Sequence, residues 1–151
     1  MLFRSLRLNG NDFSSGRAAF LDSLPSTENR SARVYVRVAV PGMEETFLAL
    51  LDTGAEWSVL DREIAEQLGI ADLEGHSITL RHKEGSTPER LVRTKVTMIA
   101  DEGVGLDVDA TVFVPDDAWP TGRNFIGYSG FLEQIRIGLD PQRNDVYFGS
   151  G

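Results

Sequence analysis

The chain has 151 residues, 41% hydrophobic and 25% charged, which allows one domain around one sizeable core. Its formal net charge of −8 argues against a nucleic-acid partner, because the phosphate backbone attracts the opposite sign, and equally against an anionic membrane surface. There is no cysteine, and His76 and His82 are the only histidines, so disulfides, thiolate chemistry, cysteine zinc sites and a histidine-rich metal centre are all excluded.

Along the chain, residues 1–32 read as a leading arm. MLFRSLRLNGNDF scatters arginines through a segment with no apolar h-region, so it does not read as a secretory signal. No stretch reaches the apolar length of a membrane span, and the cytoplasm is the expected location. Leu6 and Leu8 alternate with Arg7, as in a short strand; a short helix is expected around Ala18 to Leu24, followed by the loop PSTENRSA. Packing on the domain, an interface contact or a processed segment are the three roles open to this arm.

The domain proper is expected over 33–151. VYVRVAV is β-branched, PGMEE opens a turn with Pro-Gly, and TFLALL returns as a second strand that delivers the chain to Asp52. DREIAEQLGI then predicts a short helix capped by Asp61 and stopped by Gly69. SITLRH and ERLVRTKVTMI flank the polar KEGSTP, a predicted hairpin tip, and DVDATVFV alternates up to Pro115. RNFIGYSGFLEQ leads into RIGLD and DVYFG, which are joined by the turn PQRN. Many short strands with one or two short helices imply a mainly-β domain, closed or sandwich-like.

Within that pattern, FLALLDTGAEWSVL places a carboxylate and a glycine turn at the end of a segment suited to a core. Either Asp52 caps an ordinary turn, or the fold presents it for chemistry. A lone carboxylate activates water poorly, but two that share one proton divide the work: one accepts a proton from water and the other donates one to the carbonyl under attack. Gly54 permits a close approach of two such loops, and the Thr53 hydroxyl can hydrogen-bond to a facing loop. No second Asp-Thr-Gly or Asp-Ser-Gly occurs in the chain, so if Asp52 is presented for that chemistry, the partner carboxylate must be Asp52 of another copy. The expected assembly is therefore a symmetric homodimer with the site on its two-fold axis.

The run L-L-D-T-G-A followed by S-V-L resembles the active-site motif of the retropepsin-like aspartic proteases, the dimeric, half-size relatives of pepsin. Phe125-Ile126-Gly127 with FLEQI after it resembles the family's second motif, an apolar-apolar-Gly followed by a helix. The likeness covers roughly 33–148. It implies a closed, barrel-like acid-protease fold, hydrolysis of extended peptides and no metal or organic cofactor. Asp52 resembles the catalytic aspartate, Thr53 the threonine linking the two loops, and Gly54 the glycine whose carbonyl receives the substrate backbone. Ala55 and Glu56 fall where the family lines its subsites, Trp57 adds a ring that narrows or covers one, and the tip from His82 to Pro88, with Gly85, is placed like the substrate-covering flap. Peptide binding by strand addition follows from the same likeness. Viral members have a glycine-rich flap and often an Arg after the second motif; here the tip has Gly85 alone and Tyr128 takes the Arg position.

Competing readings are weaker. Asp107, Asp109, Asp116 and Asp117 lack the spacing and glycine of a calcium loop and read as solvated charge. His82 reads as an exposed loop residue, and Ser129 in Gly-Tyr-Ser-Gly lacks the pattern of a nucleophile elbow. The alternative function is a catalytically silent dimer of the same fold that binds peptides.

Overall fold

The computed structural model describes residues 5–22, 33–67, 76–82, 85–115 and 124–151. Its first two strands, β1 (Arg7–Leu8) and β2 (Asn11–Asp12), form a hairpin whose turn residues Asn9 and Gly10 both take positive φ, 52° and 81°. That is the conformation of a two-residue type I′ turn, for which Asn-Gly is the favoured pair. Next comes β3 (Gly16–Ala19), a strand in the place where the sequence predicts the start of a helix over Ala18–Leu24; Ser23 and Leu24 lie outside the described residues. The physical reason is the two-residue period: Ala18 and Phe20 are both buried with Ala19 exposed between them, and the β3 backbone finds a strand to pair with rather than its own i−4 carbonyls.

The barrel begins with β4 (Tyr35–Ala39) and β5 (Phe47–Leu51), an antiparallel pair in register from Tyr35↔Leu50 to Val38↔Phe47. After β6 (Ser58–Val59), helix α1 (Arg62–Gln67) starts where expected: the Glu63 amide reaches Asp61 Oδ1 at 3.4 Å, and Ala65 is fully buried. The predicted stop at Gly69 lies outside the described residues. β7 (His76–His82) and β8 (Gly85–Met98) form the expected hairpin, but pairing runs to His82↔Gly85, so the tip is tighter than the whole of KEGSTP; Lys83 and Glu84 lie outside the described residues. The remaining elements are β9 (Glu102–Gly103), β10 (Leu106–Pro115), β11 (Asn124–Ile126), a 3-10 turn at Leu132–Gln134, β12 (Ile135–Asp140) and β13 (Asp145–Ser150).

Hydrogen-bonded neighbours run β10, β6, β11, β5, β4, β8, and β8 pairs back onto β10, so the sheet closes on itself; β7 extends it as the outer arm of its hairpin. Closure leaves those six strands without a free edge. The alternation read in DVDATVFV is realised: Val108, Ala110, Val112 and Val114 are buried with Val36, Val38, Val96 and Met98, while Asp107 and Asp109 face solvent. Phe113, on the opposite face of β10, is fully buried in a second cluster with Val59, Trp57, Leu91 and Phe125. The chain thus forms the mainly-β domain around a closed sheet that its pattern of short strands implies.

A second sheet, in the order β12, β13, β3, β9, joins the two ends of the chain. β13 is one of its two interior strands: Phe148 opposes Ile137 on one side and Gly16 on the other, and Val146 and Phe148 are buried in the main core. Arg17 on β3 ties three strands together, pairing with Asp145 of β13 and, at 3.2 Å, with Glu102 of β9. The hydrogen bond to Glu102, then that to Asp145 and the two carboxylate charges, raise its pKa against the opposing effect of burial, so the guanidinium stays charged. The Phe20 amide donates to Asn144 O in the PQRN turn at 2.9 Å.

Deleting residues 1–22 would strip β3 and Phe20 from β13 and open the Val146–Phe148 face. The expected loss is at least about 3 kcal/mol of stability, the scale of removing one large buried side chain. Urea unfolding followed by circular dichroism measures it; an unchanged midpoint would mean that residues 23–151 fold without this strand.

Candidate active site

Asp52 is the residue at which β5 runs out. Ala49 and Leu50 are buried and Leu51 packs against the main core, so the strand below the carboxylate is anchored in apolar contacts. β5 lies parallel to β11, with Ala49 opposite Asn124, Leu50 opposite Phe125 and Leu51 opposite Ile126. The ladder continues one step further: the Asp52 amide donates to Ile126 O at 2.9 Å. Beyond it the chain turns. The Ala55 amide donates to Asp52 O at 3.1 Å, and the Gly54 amide donates to Asp52 Oδ1 at 3.0 Å, an Asx-type turn in which the carboxylate is oriented by its own loop. The carboxylate is half-buried, with Thr53 and Gly54 exposed next to it.

From Ala55 the chain returns along the other side of β11. The Tyr128 amide donates to Ala55 O at 2.9 Å, the Ser129 amide to Glu56 O at 2.6 Å, and Trp57 bridges to Ser129. β6 then runs antiparallel to β11 through Phe125↔Val59 and parallel to β10 through Ser58↔Val112. The segment 47–59 therefore wraps the end of β11, up one edge and down the other. Contact at the crossing is so close that a Cβ on Gly127 would stand 2.3 Å from the carbonyl carbon and oxygen of Trp57, which only a glycine avoids. There the Gly127 amide donates to Ser58 Oγ at 2.9 Å, a buried bond.

Of the residues named from sequence, Asp52, Thr53, Gly54, Ala55, Glu56 and Trp57 form one continuous loop. Glu56 is exposed, and the Trp57 ring is half-buried, edge-on to Phe113 with centroids 5.7 Å apart and planes at 78°. Gly85 stands on a separate element, the first residue of β8 at the end of the β7–β8 hairpin. Phe125-Ile126-Gly127 supplies β11 and the crossing point, and the 3-10 turn at Leu132–Gln134 follows it, its first amide donating to Gly127 O at 3.2 Å. Tyr128 presents its side chain to solvent, 54% exposed, one residue beyond that crossing. Ser58 was legible only as the first letter of S-V-L; its signal is a lone hydroxyl between Trp57 and an apolar pair, and its side chain is 2% exposed. Asp107 accepts a hydrogen bond from Thr97 Oγ1 at 2.6 Å, and Asp116 and Asp117 lie outside the described residues. Among the described residues no group of three acidic or histidine side chains converges as metal ligands would.

A family model described as aspartyl protease matches residues 36–129, the span that holds both strands around β11 and both loops. Among solved structures, the chain is similar to a retropepsin-like aspartic protease from Rickettsia conorii, known from its crystal structure. The likeness covers 88% of this chain and 98% of that one, with a TM-score of 0.56 and 17% identity, and it speaks for the fold. No curated protein matches the sequence.

Because the atoms facing Gly127 are backbone, Gly127→Ala is expected to force the two loops apart. Its cost should be about 2–3 kcal/mol, the upper range for overpacking. Thermal unfolding of the variant beside wild type checks this; a midpoint within a degree of wild type would contradict the crossing geometry.

Proposed function

Since this chain belongs to the retropepsin-like family of aspartyl proteases, we propose that it is an aspartic endopeptidase that acts as a homodimer on extended peptides. The observation that carries the reading is the placement of Asp52: a half-exposed carboxylate at a turn whose backbone is tied on both sides to β11. A group so held needs little reorganisation to transfer a proton.

In the proposed reaction, Asp52 of each copy flanks one water, and the two carboxylates share a single proton. The ionised one takes a proton from the water as the water oxygen bonds to the scissile carbonyl carbon. The protonated one gives its proton to the carbonyl oxygen, leaving a tetrahedral diol. Collapse breaks the C–N bond: the carboxyl that took the water's proton passes it to the departing nitrogen while the other takes a proton from a diol hydroxyl, so the pair again holds one proton. Gly54 and Glu56 are proposed to contact the peptide, with Trp57 bounding a subsite and the β7–β8 hairpin, including Gly85, covering it.

Pairing of copies must bring two Asp52 loops face to face. The surface carrying Thr53, Gly54 and Tyr128 is therefore the one a second copy would cover. Both edges of β13 are already taken within the chain, by β12 and β3, which argues against a dimer built by strand pairing through DVYFG.

Cleavage of a diverse peptide mixture from acidic to neutral pH, wild type beside Asp52→Asn, tests the proposal. Cuts made by wild type and lost in the variant, with fold and dimer retained in both, are expected. Equal cutting by the two proteins would sink the mechanism. Peptide capture by a dimeric wild type without new termini would point instead to the silent binding module.

A further inference from the structure

The geometry points to Ser58 as a positioning residue for Asp52, an assignment that rests on Asp52 being the reacting carboxylate. The link is a single peptide unit. Ile126 O accepts the Asp52 amide at 2.9 Å, and the N–H of the next residue, Gly127, donates to Ser58 Oγ at 2.9 Å. Those two atoms belong to the same trans peptide, whose C=O and N–H point in opposite directions and move as one plane. Ser58 therefore grips one end of a rigid plate whose other end holds the root of Asp52.

Four further observations make this more than a satisfied core hydroxyl. The residue that bears the N–H is a glycine, with no side chain of its own to fix the plane, and the crossing leaves no room for one. The Ser58 side chain is 2% exposed, so solvent does not readily compete for the bond. The neighbouring contacts, Tyr128 N–H to Ala55 O and Ser129 N–H to Glu56 O, fasten the loop beyond the turn and leave the tilt of the Ile126–Gly127 plane to be set elsewhere. Ser58 also sits in β6 beside Val59, which is buried, so its backbone is as fixed as the strand.

Loss of the hydroxyl should loosen the plane and with it the direction of the carboxylate, without removing any group that touches substrate. Ser58→Ala is therefore expected to keep the fold, the dimer and a KM within about twofold, while kcat falls about ten- to a hundredfold, the range produced by small misplacements of a reacting group. Ser58→Thr, which restores the hydroxyl, should recover most of kcat. Amide exchange followed by NMR supplies a readout independent of turnover. In Ser58→Ala both the Gly127 and the Asp52 amides should exchange faster, whereas Leu51, whose amide donates to Val34 O, should not change.

A Ser58→Ala protein with wild-type kcat, or one in which only the Gly127 amide is loosened, would overturn the assignment. So would a folded Ser58→Thr that recovers neither kcat nor the protection of Asp52. If wild type itself makes no cut that depends on Asp52, the protease reading fails, and exchange at the Asp52 amide still decides whether Ser58 holds it.

Discussion

One strand held between two parts of a single loop is the constraint on which the site depends. β11 pairs with β5 on one edge and with β6 on the other, and the chain between those two strands is the loop that carries Asp52. Nearly every contact at the crossing is made by backbone atoms: Asp52 to Ile126, Tyr128 to Ala55, Ser129 to Glu56. Backbone bonds of this kind leave no rotamers to choose among, so the loop inherits the rigidity of the strands. The requirement they impose is local and strict, a residue without a side chain at 127.

That crossing stands only because the rest of the sheet closes around it. The long β8–β10 ladder, from Met98↔Leu106 to Glu89↔Pro115, returns the sheet to its starting strand, and β10 in turn carries β6. Packing follows the same plan on two faces. The valines of β10 fill the main core, while Phe113 on its other face supports Val59 and the edge of the Trp57 ring, next to the loop's return. The apolar frame thus reaches to within a residue or two of the exposed Thr53 and Gly54 without covering them.

The second sheet shows how the leading arm becomes part of the domain. β3 lies between β13 and β9, and Arg17 bridges to carboxylates on both. Charge placement here is a joining device between strands far apart in sequence, and the burial of Phe20 and Ala18 with Phe148 joins the first and last parts of the chain in one core. Because β13 has neighbours on both sides, neither of its edges is free to take a further strand.

Local sequence determined much of this protein: the barrel strands β4, β5, β8 and β10, the cap of α1 at Asp61, the β7–β8 hairpin, and the loop that opens with Asp-Thr-Gly. Each of these depends on short-range signals, namely two-residue alternation, a Pro-Gly turn, a capping carboxylate, and a motif whose residues are neighbours in the chain. Only the tertiary structure decided the rest. Ala18 and Ala19 belong to the strand Gly16–Ala19 and not to a helix because β13, more than a hundred residues away, offers that strand an edge to pair with. Gly127 is required by a backbone that approaches from Trp57, and Ser58 acquires a partner only when β11 is laid against β6. Contacts made across such distances in sequence are products of sheet order, and sheet order is settled by how all the strands bury their apolar faces together.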